Sequence, residues 1–182
     1  MERHGLASPD FATLFQAHHA SILAYAIRRT PTLADAEDAA AETFVVAWRR
    51  QRDVPADARP WLFAVARRVI ANQRRGRMRW RRLRERLVGA SHDVAVHADG
   101  GPATMALCRL RDEDQELLRL VAWEGLSHGE IGVVLGITPN AVAIRLHRAR
   151  RRYAEELLEV RSAEAKGSRL SRTPGDAKGT HE

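Results

Sequence analysis

Cysteine occurs once in the 182-residue chain, at Cys108, so an internal disulfide and a four-cysteine zinc site are both excluded. Long apolar runs are missing. The stretch Phe44–Trp48 is typical of the longest, far short of the roughly 20 residues a bilayer span needs. No membrane partner is expected. Met1–Gly5 is followed by no extended apolar segment, which predicts no secretory signal and a cytoplasmic location. Sustained period-two alternation is absent, so strands are not expected. There is no phosphate-cradling glycine loop, no G-x-S-x-G and no H-E-x-x-H. His18 and His19 are adjacent, cannot share one helix face, and make a poor metal pair. His18 reads as a packed core residue, and Cys108, beside Leu107 and Leu110, as a buried structural thiol. The expectation is a protein with no catalytic residues, no metal and no cofactor.

Lysine is also scarce: of 30 basic residues only Lys166 and Lys178 are not arginine. Against 23 acids this leaves a net charge of +7. The charge is uneven, because Arg67–Arg86 holds ten arginines and one acid, Glu85. So dense a cationic run repels itself unless a polyanion neutralises it, which makes nucleic acid the first partner to consider. With 45% hydrophobic residues the chain can still bury cores.

The hydrophobic pattern predicts an all-α fold of two small helical domains. A first helix spans about Pro9–Arg29, with Ser8 able to cap it and Phe11, Leu14, Phe15, His18, Ile22, Tyr25 and Ala26 on one stripe. A second spans about Leu33–Arg50, with Thr32 and Asp35 at capping-box spacing, acids in its first turns and arginines in its last. After a polar loop, Gln51–Arg59, Pro60 reopens a helix. Its stripe of Trp61, Leu62, Val65, Ala66, Val69 and Ile70 backs a polar face of Arg67, Arg68, Asn72, Gln73 and Arg74. Trp61, at the head of that stripe, reads as core rather than as a stacking residue. Gly76 is a candidate interruption. The N-terminal domain is placed at residues 1–87, a linker at 88–104, a C-terminal domain at 105–160 and a disordered tail at 161–182.

The C-terminal domain carries the clearest punctuation. Asp112 and Gln115 have cap spacing ahead of one helix, and Gly125 closes it. Ser127 and Glu130 form an S-x-x-E capping box ahead of Ile131, Val134 and Leu135. Gly136 supplies a tight turn, and Thr138-Pro139 opens a last helix. Two short helices joined in this way read as a helix-turn-helix, whose second helix enters the DNA major groove. Its exposed residues are Asn140, Ala143, Ile144, Arg145, His147, Arg148, Arg150 and Arg151. Asparagine suits adenine, arginine suits guanine, and an apolar group suits a thymine methyl. Later arginines suit phosphates. Asn140, Ile144 and Arg148 follow at four-residue steps on one side, with Arg145 nearer the flank.

Three segments, Asp35–Arg49, Pro60–Arg75 and Leu117–Arg152, taken in order and spacing, resemble the extracytoplasmic-function sigma factors of bacterial RNA polymerase. The likeness covers roughly Phe11–Leu158, and the arginine-for-lysine bias resembles actinobacterial members. The resemblance implies core RNA polymerase and promoter DNA as partners, the DNA as a double-stranded upstream element and a melted minus-ten element. An anti-sigma factor is a common further partner in that family. It implies polymerase docking by Asp35, Glu37, Asp38, Glu42 and Trp48. It implies minus-ten contacts from Arg52, Asp53, Arg67, Arg68, Asn72, Gln73, Arg74 and Arg75, with the polar loop holding a flipped base. It implies that the last helix reads the minus-thirty-five element. The chain departs from the family pattern at Ala41, where glutamine is usual, at Arg68, where asparagine is frequent, and at Ala143-Ile144, where a Lys/Arg-Ser pair is frequent. The alternatives are a helix-turn-helix regulator that is not a polymerase subunit, and a nonspecific nucleoid protein. The latter explains the charge but not the acidic helix.

Overall fold

The computed structural model describes Phe11–Val88 and Gly101–Leu170, and among these residues every regular element is helical. The helices are α1 (Phe11–Ile27), α2 (Leu33–Arg49), α3 (Ala58–Val88), α4 (Pro102–Arg109), α5 (Asp112–Ala122), α6 (His128–Leu135) and α7 (Pro139–Leu170). A short 3-10 turn, Gln51–Asp53, links α2 to α3. Ser8 and Pro9, residues 89–100 of the expected linker and residues 171–182 of the expected tail lie outside the described residues. No single described helix is long and apolar enough to cross a membrane.

The chain divides into two compact units, Met1–Ala95 with Leu120–Ala143, and Val96–Arg119 with Ile144–Glu182. In the first, α1, α2 and α3 pack on one another and α6 packs on α3. The core consists of Leu14, Ile22 and Tyr25 from α1, Ala36, Ala39, Ala40, Phe44 and Ala47 from α2, and Leu62, Phe63 and Ala66 from α3. The alanine row lets α2 approach closely. Burying each large side chain contributes roughly 1.5–3 kcal/mol. Thr30 stops α1: its buried hydroxyl donates to the Ala26 carbonyl at 2.9 Å. At the start of α2 the Thr32 hydroxyl oxygen accepts the Asp35 N–H at 3.1 Å while its proton goes to the Asp35 carboxylate at 2.8 Å.

The same unit holds a cluster of charge. Glu124, 6% exposed, accepts hydrogen bonds from Arg28 and, at 2.9 Å, from Arg29. Its backbone carbonyl accepts from Arg59, whose other terminal nitrogen reaches Glu130 at 3.1 Å. His18 lies half-buried rather than in the core. Burial first, and then the Arg59 charge, push its pKa down, against an opposing pull from Asp57.

The second unit buries Ala106, Leu110, Leu117, Leu146, Ala149 and Val160. Asp114 and Arg152 join as a fork, and the Tyr153 hydroxyl donates to the Ala103 carbonyl at 3.3 Å. Cys108 is exposed, not buried. It lies on α4, where Ala106 takes the inner position, and Leu110 just after the helix is buried.

Several boundaries differ from the pattern reading. α3 starts at Ala58, two residues before Pro60, and runs unbroken through Gly76, because its flanking arginines favour helix more than one glycine opposes it. Phe63 and Ala64 are buried as well as the expected stripe, since α3 is covered on more than one side. Trp61 is only half-buried. α4 lies where the end of the linker was expected: Gly101 precedes it, and Pro102 opens a run of good helix formers. Gln115 does not cap α5. Its side-chain amide closes the end of α4 by donating to the Leu110 carbonyl at 2.9 Å. α7 continues past Arg161 to Leu170, so the first ten residues of the expected tail are helix, in keeping with Ala163, Glu164 and Ala165.

Candidate nucleic-acid interface

The helix-turn-helix is fixed by local chemistry. Ser127 caps α6 by accepting the Glu130 N–H at 3.3 Å, and the Glu130 carboxylate accepts the Ser127 N–H at 2.8 Å. These bonds, with further help from Arg59, hold the Glu130 carboxyl below the usual glutamate range against partial burial. Gly136 ends α6 at φ +68°, a left-handed conformation that favours glycine. The Ile137 N–H then reaches back to the Gly132 carbonyl at 3.0 Å. Gly132 is needed for a different reason: a Cβ there would stand 2.7 Å from the Ile137 carbonyl oxygen. Thr138 caps α7 by accepting the Ala141 N–H at 3.2 Å, with Pro139 at the first helical position. The chain bends by 97° between α6 and α7, within the range of helix-turn-helix pairs.

α7 buries Val142, Leu146 and Ala149 and leaves Asn140, Ile144, Arg145, His147, Arg148, Arg150 and Arg151 exposed, with Ala143 half-buried. Ile144 keeps 47% of its surface. Arg145 and Arg148 make no ion pair among the described residues, so their guanidinium groups are available to an anion. Arg151 pairs loosely with Glu155 at 3.5 Å on the exposed surface, a contact worth little. Arg152 is held by Asp114 and does not belong to this face.

The second basic surface is α3. Arg67, Arg68, Asn72, Arg74 and Arg75 are exposed and Gln73 is half-buried. Arg75 donates to the Asn72 side-chain carbonyl. An open cleft of about 340 Å³ lies between α2 and α3, lined by Glu42, Val46, Arg50, Val65, Arg68, Val69, Asn72 and Gln73. The Gln73 side-chain oxygen is buried and without a hydrogen bond. Arg68, Asn72 and Gln73 therefore meet, and Arg50 joins them, a residue the sequence pattern assigned only to the helix dipole. Arg52 and Asp53 sit apart from this cleft on the exposed 3-10 turn. Trp80, 66% exposed between Arg79 and Arg81, was also missed. The signal for it was an aromatic residue inside a cationic run.

On α2, Glu37, Asp38 and Glu42 are exposed along with Trp48. Trp48 leans edge-on against Phe11, ring centres 5.0 Å apart, yet keeps 57% of its surface. Phe15, Val45 and Leu33 are exposed on the same two helices. Asp35 differs from its neighbours. Its carboxylate is engaged by Thr32 and by Arg77 of α3, so it works within the bundle.

Comparison with known proteins bears directly on this arrangement. Residues 14–80 match the model of sigma-70 region 2, and residues 102–152 match that of sigma-70 region 4. The chain is 31% identical over 161 residues to the ECF RNA polymerase sigma factor SigL of Mycobacterium tuberculosis, covering 81% of this chain and 88% of that protein. It is 27% identical over 162 residues to the RNA polymerase sigma factor YlaC of Bacillus subtilis, covering 83% and 94%. Among solved structures, the sigma factor RpoE of Bartonella quintana, in complex with the anti-sigma factor NepR, superposes with a TM-score of 0.65 at 26% identity, covering 83% of this chain and 98% of that one. CnrH, in complex with the cytosolic domain of CnrY, gives 0.57 at 30% identity, covering 81% and 86%.

Proposed function

The chain belongs to the extracytoplasmic-function sigma factors of the sigma-70 family, and we propose a division of labour among its helices in directing RNA polymerase to promoters. The exposed acids Glu37, Asp38 and Glu42 of α2, with Trp48, dock on core polymerase, and Asp35 holds that helix in place from within. The α3 face of Arg67, Arg68, Asn72, Gln73, Arg74 and Arg75, with Arg52 and Asp53 on the neighbouring turn, takes the melted minus-ten element. The head of α7 reads the double-stranded minus-thirty-five element. Residues 1–87 and 105–160 act as the two DNA-reading domains, with 88–104 between them. The protein works in the cytoplasm as a specificity subunit and performs no bond chemistry of its own.

The observation that carries this reading is the outward face of α7. Asn140, Ile144, His147 and Arg148 project from a helix that Thr138 caps, just after the left-handed Gly136 that ends α6. Such a face offers an amide, a methyl-sized apolar group and a guanidinium to base edges. The exposed Glu37, Asp38 and Trp48 on α2 and the cationic face of α3 support separate polymerase and DNA contacts, with Glu42 at the cleft where the two helices meet. The relatives in complex with NepR and CnrY support an anti-sigma partner for this chain as well.

The test is reconstitution. The purified protein with core RNA polymerase should initiate from a subset of a randomised promoter library. The enriched sequences should show two elements at fixed spacing. Initiation that does not depend on the upstream element would overturn the role given to α7.

A further inference from the structure

The outward face of α7 has an apolar residue at its centre. Val142, Leu146 and Ala149 are buried, and they set the inward direction of the first turns of this helix. At about 100° per residue, Val142 and Leu146 both fall roughly 160° from Ile144, and Ala149 roughly 140°. Ile144 therefore points almost straight away from the buried side, and it keeps 47% of its surface. Asn140 and Arg148 stand about one turn before and after it, each rotated by about 40° to opposite sides. Both are exposed, while Ala143 beside Ile144 is half-buried and ends at its Cβ.

A single exposed isoleucine is ordinary on a protein surface. This one stands between an amide and a guanidinium on the helix that a helix-turn-helix presents to the major groove. Its side chain neither donates nor accepts a hydrogen bond. Pressed against the edge of guanine, adenine or cytosine, it would cover polar atoms and leave them without a partner, at a cost that the apolar contact does not offset. The major-groove edges of the base pairs carry one apolar substituent, the C5-methyl of thymine. That group lets Ile144 bury apolar surface against apolar surface, while the amide and the guanidinium on either side keep the polar edges of the neighbouring bases.

We propose that Ile144 reads the pyrimidine C5-methyl group and fixes one position of the upstream element as thymine. The inference rests on the reading of α7 given above and names the group that its central residue recognises. A rise of about 1.5 Å per residue puts Ile144 about 6 Å along the axis from Asn140 and from Arg148, a little under two base steps of about 3.4 Å. The thymine accordingly lies one or two base pairs from the position read by Arg148, toward the position read by Asn140. 5-Methylcytosine, which carries its methyl on the same ring carbon, makes the same contact.

The test selects duplexes from a randomised library with the full chain, alone and on core RNA polymerase. Each thymine of the selected upstream element, on either strand, is then replaced in turn by deoxyuridine, which lacks only the methyl. At one position the affinity should fall about fourfold, the worth of one methyl-sized group taken out of water. Cytosine and 5-methylcytosine placed there should differ by a similar factor in favour of the methylated base. Ile144→Val keeps a branched apolar end and should keep the preference for thymine over deoxyuridine. Ile144→Ser, whose hydroxyl pairs with any base edge, should bind the two alike. An upstream element with no thymine on either strand would overturn the proposal, as would equal affinity for thymine and deoxyuridine at every position. So would a methyl preference that survives Ile144→Ser, because another residue would then hold the group. Failure of the sigma-factor reading is separate: core polymerase would not initiate with the protein, whatever the thymine-to-deoxyuridine ratio on duplexes selected by the protein alone.

Discussion

Asp114 holds Arg152 by both oxygens, accepting from Nε at 2.9 Å and from Nη2 at 2.8 Å. The pair raises the Arg152 pKa through this hydrogen bonding and sets Arg152 apart from Arg148, Arg150 and Arg151, which stay exposed on α7. Arg152→Ala should therefore lower the melting temperature, since it strands a nearly covered carboxylate. Arg151→Ala should leave it unchanged. Thermal melts of the two variants read this directly, and equal melting points would show that the fork contributes nothing.

The head of α7 should separate reading from positioning. A bidentate arginine–guanine pair discriminates by about 1–3 kcal/mol. Arg148→Ala should relax base preference at one or two positions of the upstream element. Arg151→Ala should weaken binding evenly and reduce the salt slope by about one. Affinities against single-base variants at two salt concentrations decide between them. A uniform loss with Arg148→Ala would make it a phosphate contact.

The acids of α2 should matter to polymerase and not to DNA. Reversing Glu37 and Asp38 to lysine should weaken binding to core polymerase by at least about tenfold, roughly 1.4 kcal/mol. The circular dichroism spectrum should stay helical, because both side chains are exposed. Unchanged affinity would move the docking surface elsewhere.

Gly132→Ala tests the turn. The added Cβ meets a backbone oxygen at 2.7 Å, and a backbone atom in a tight turn yields less easily than the end of a side chain. A loss of about 1–3 kcal/mol is expected, as for overpacking elsewhere. Alanine at the exposed Gly129, whose nearest neighbour would be the Ser127 hydroxyl at 3.9 Å, should be neutral or stabilising. Denaturant unfolding of both variants checks the contrast.

Glu130 should give stability an acid dependence. Its folded pKa is depressed by the Ser127 bonds, with Arg59 adding to them. Its contribution is then fully present above the ordinary glutamate value and is lost as pH falls through the lower folded value. Glu130→Gln keeps a capping side chain but no titrating proton. The melting difference between wild type and Glu130→Gln should be largest near neutral pH and close to zero in strong acid. A difference that does not change with pH would show that the charge is not what the cap and Arg59 hold.

What could be read from sequence was whatever local chemistry decides. Ser127, Glu130, Gly136 and Thr32 act within four residues of their partners, and they stand where the pattern put them. The all-helical class and the helix-turn-helix followed from the same signals. Exposure was harder, because a stripe states which side a residue is on and not what covers it. Cys108 and Trp61 looked like core residues by their neighbours, yet one is exposed and the other half-buried. α4 was hidden by its length, two turns after a glycine pair. The grip of Arg28 and Arg29 on Glu124 had no sequence signature at all, since each residue alone reads as a solvated charge. Likewise Arg50 joins Asn72 around one cleft only because α2 and α3 pack side by side.

The continuity of α3 has a geometric consequence. Its 31 residues form a rod about 46 Å long, as long as roughly 13 base steps of duplex. With no hinge at Gly76, the angular phase of its two ends is locked. The directions of Arg68 and Asn72 about the axis therefore fix that of Trp80. Deleting one residue near Gly76 would keep every arginine yet rotate the distal group by about 100° about the axis. The helix would then present the same charge to the wrong side.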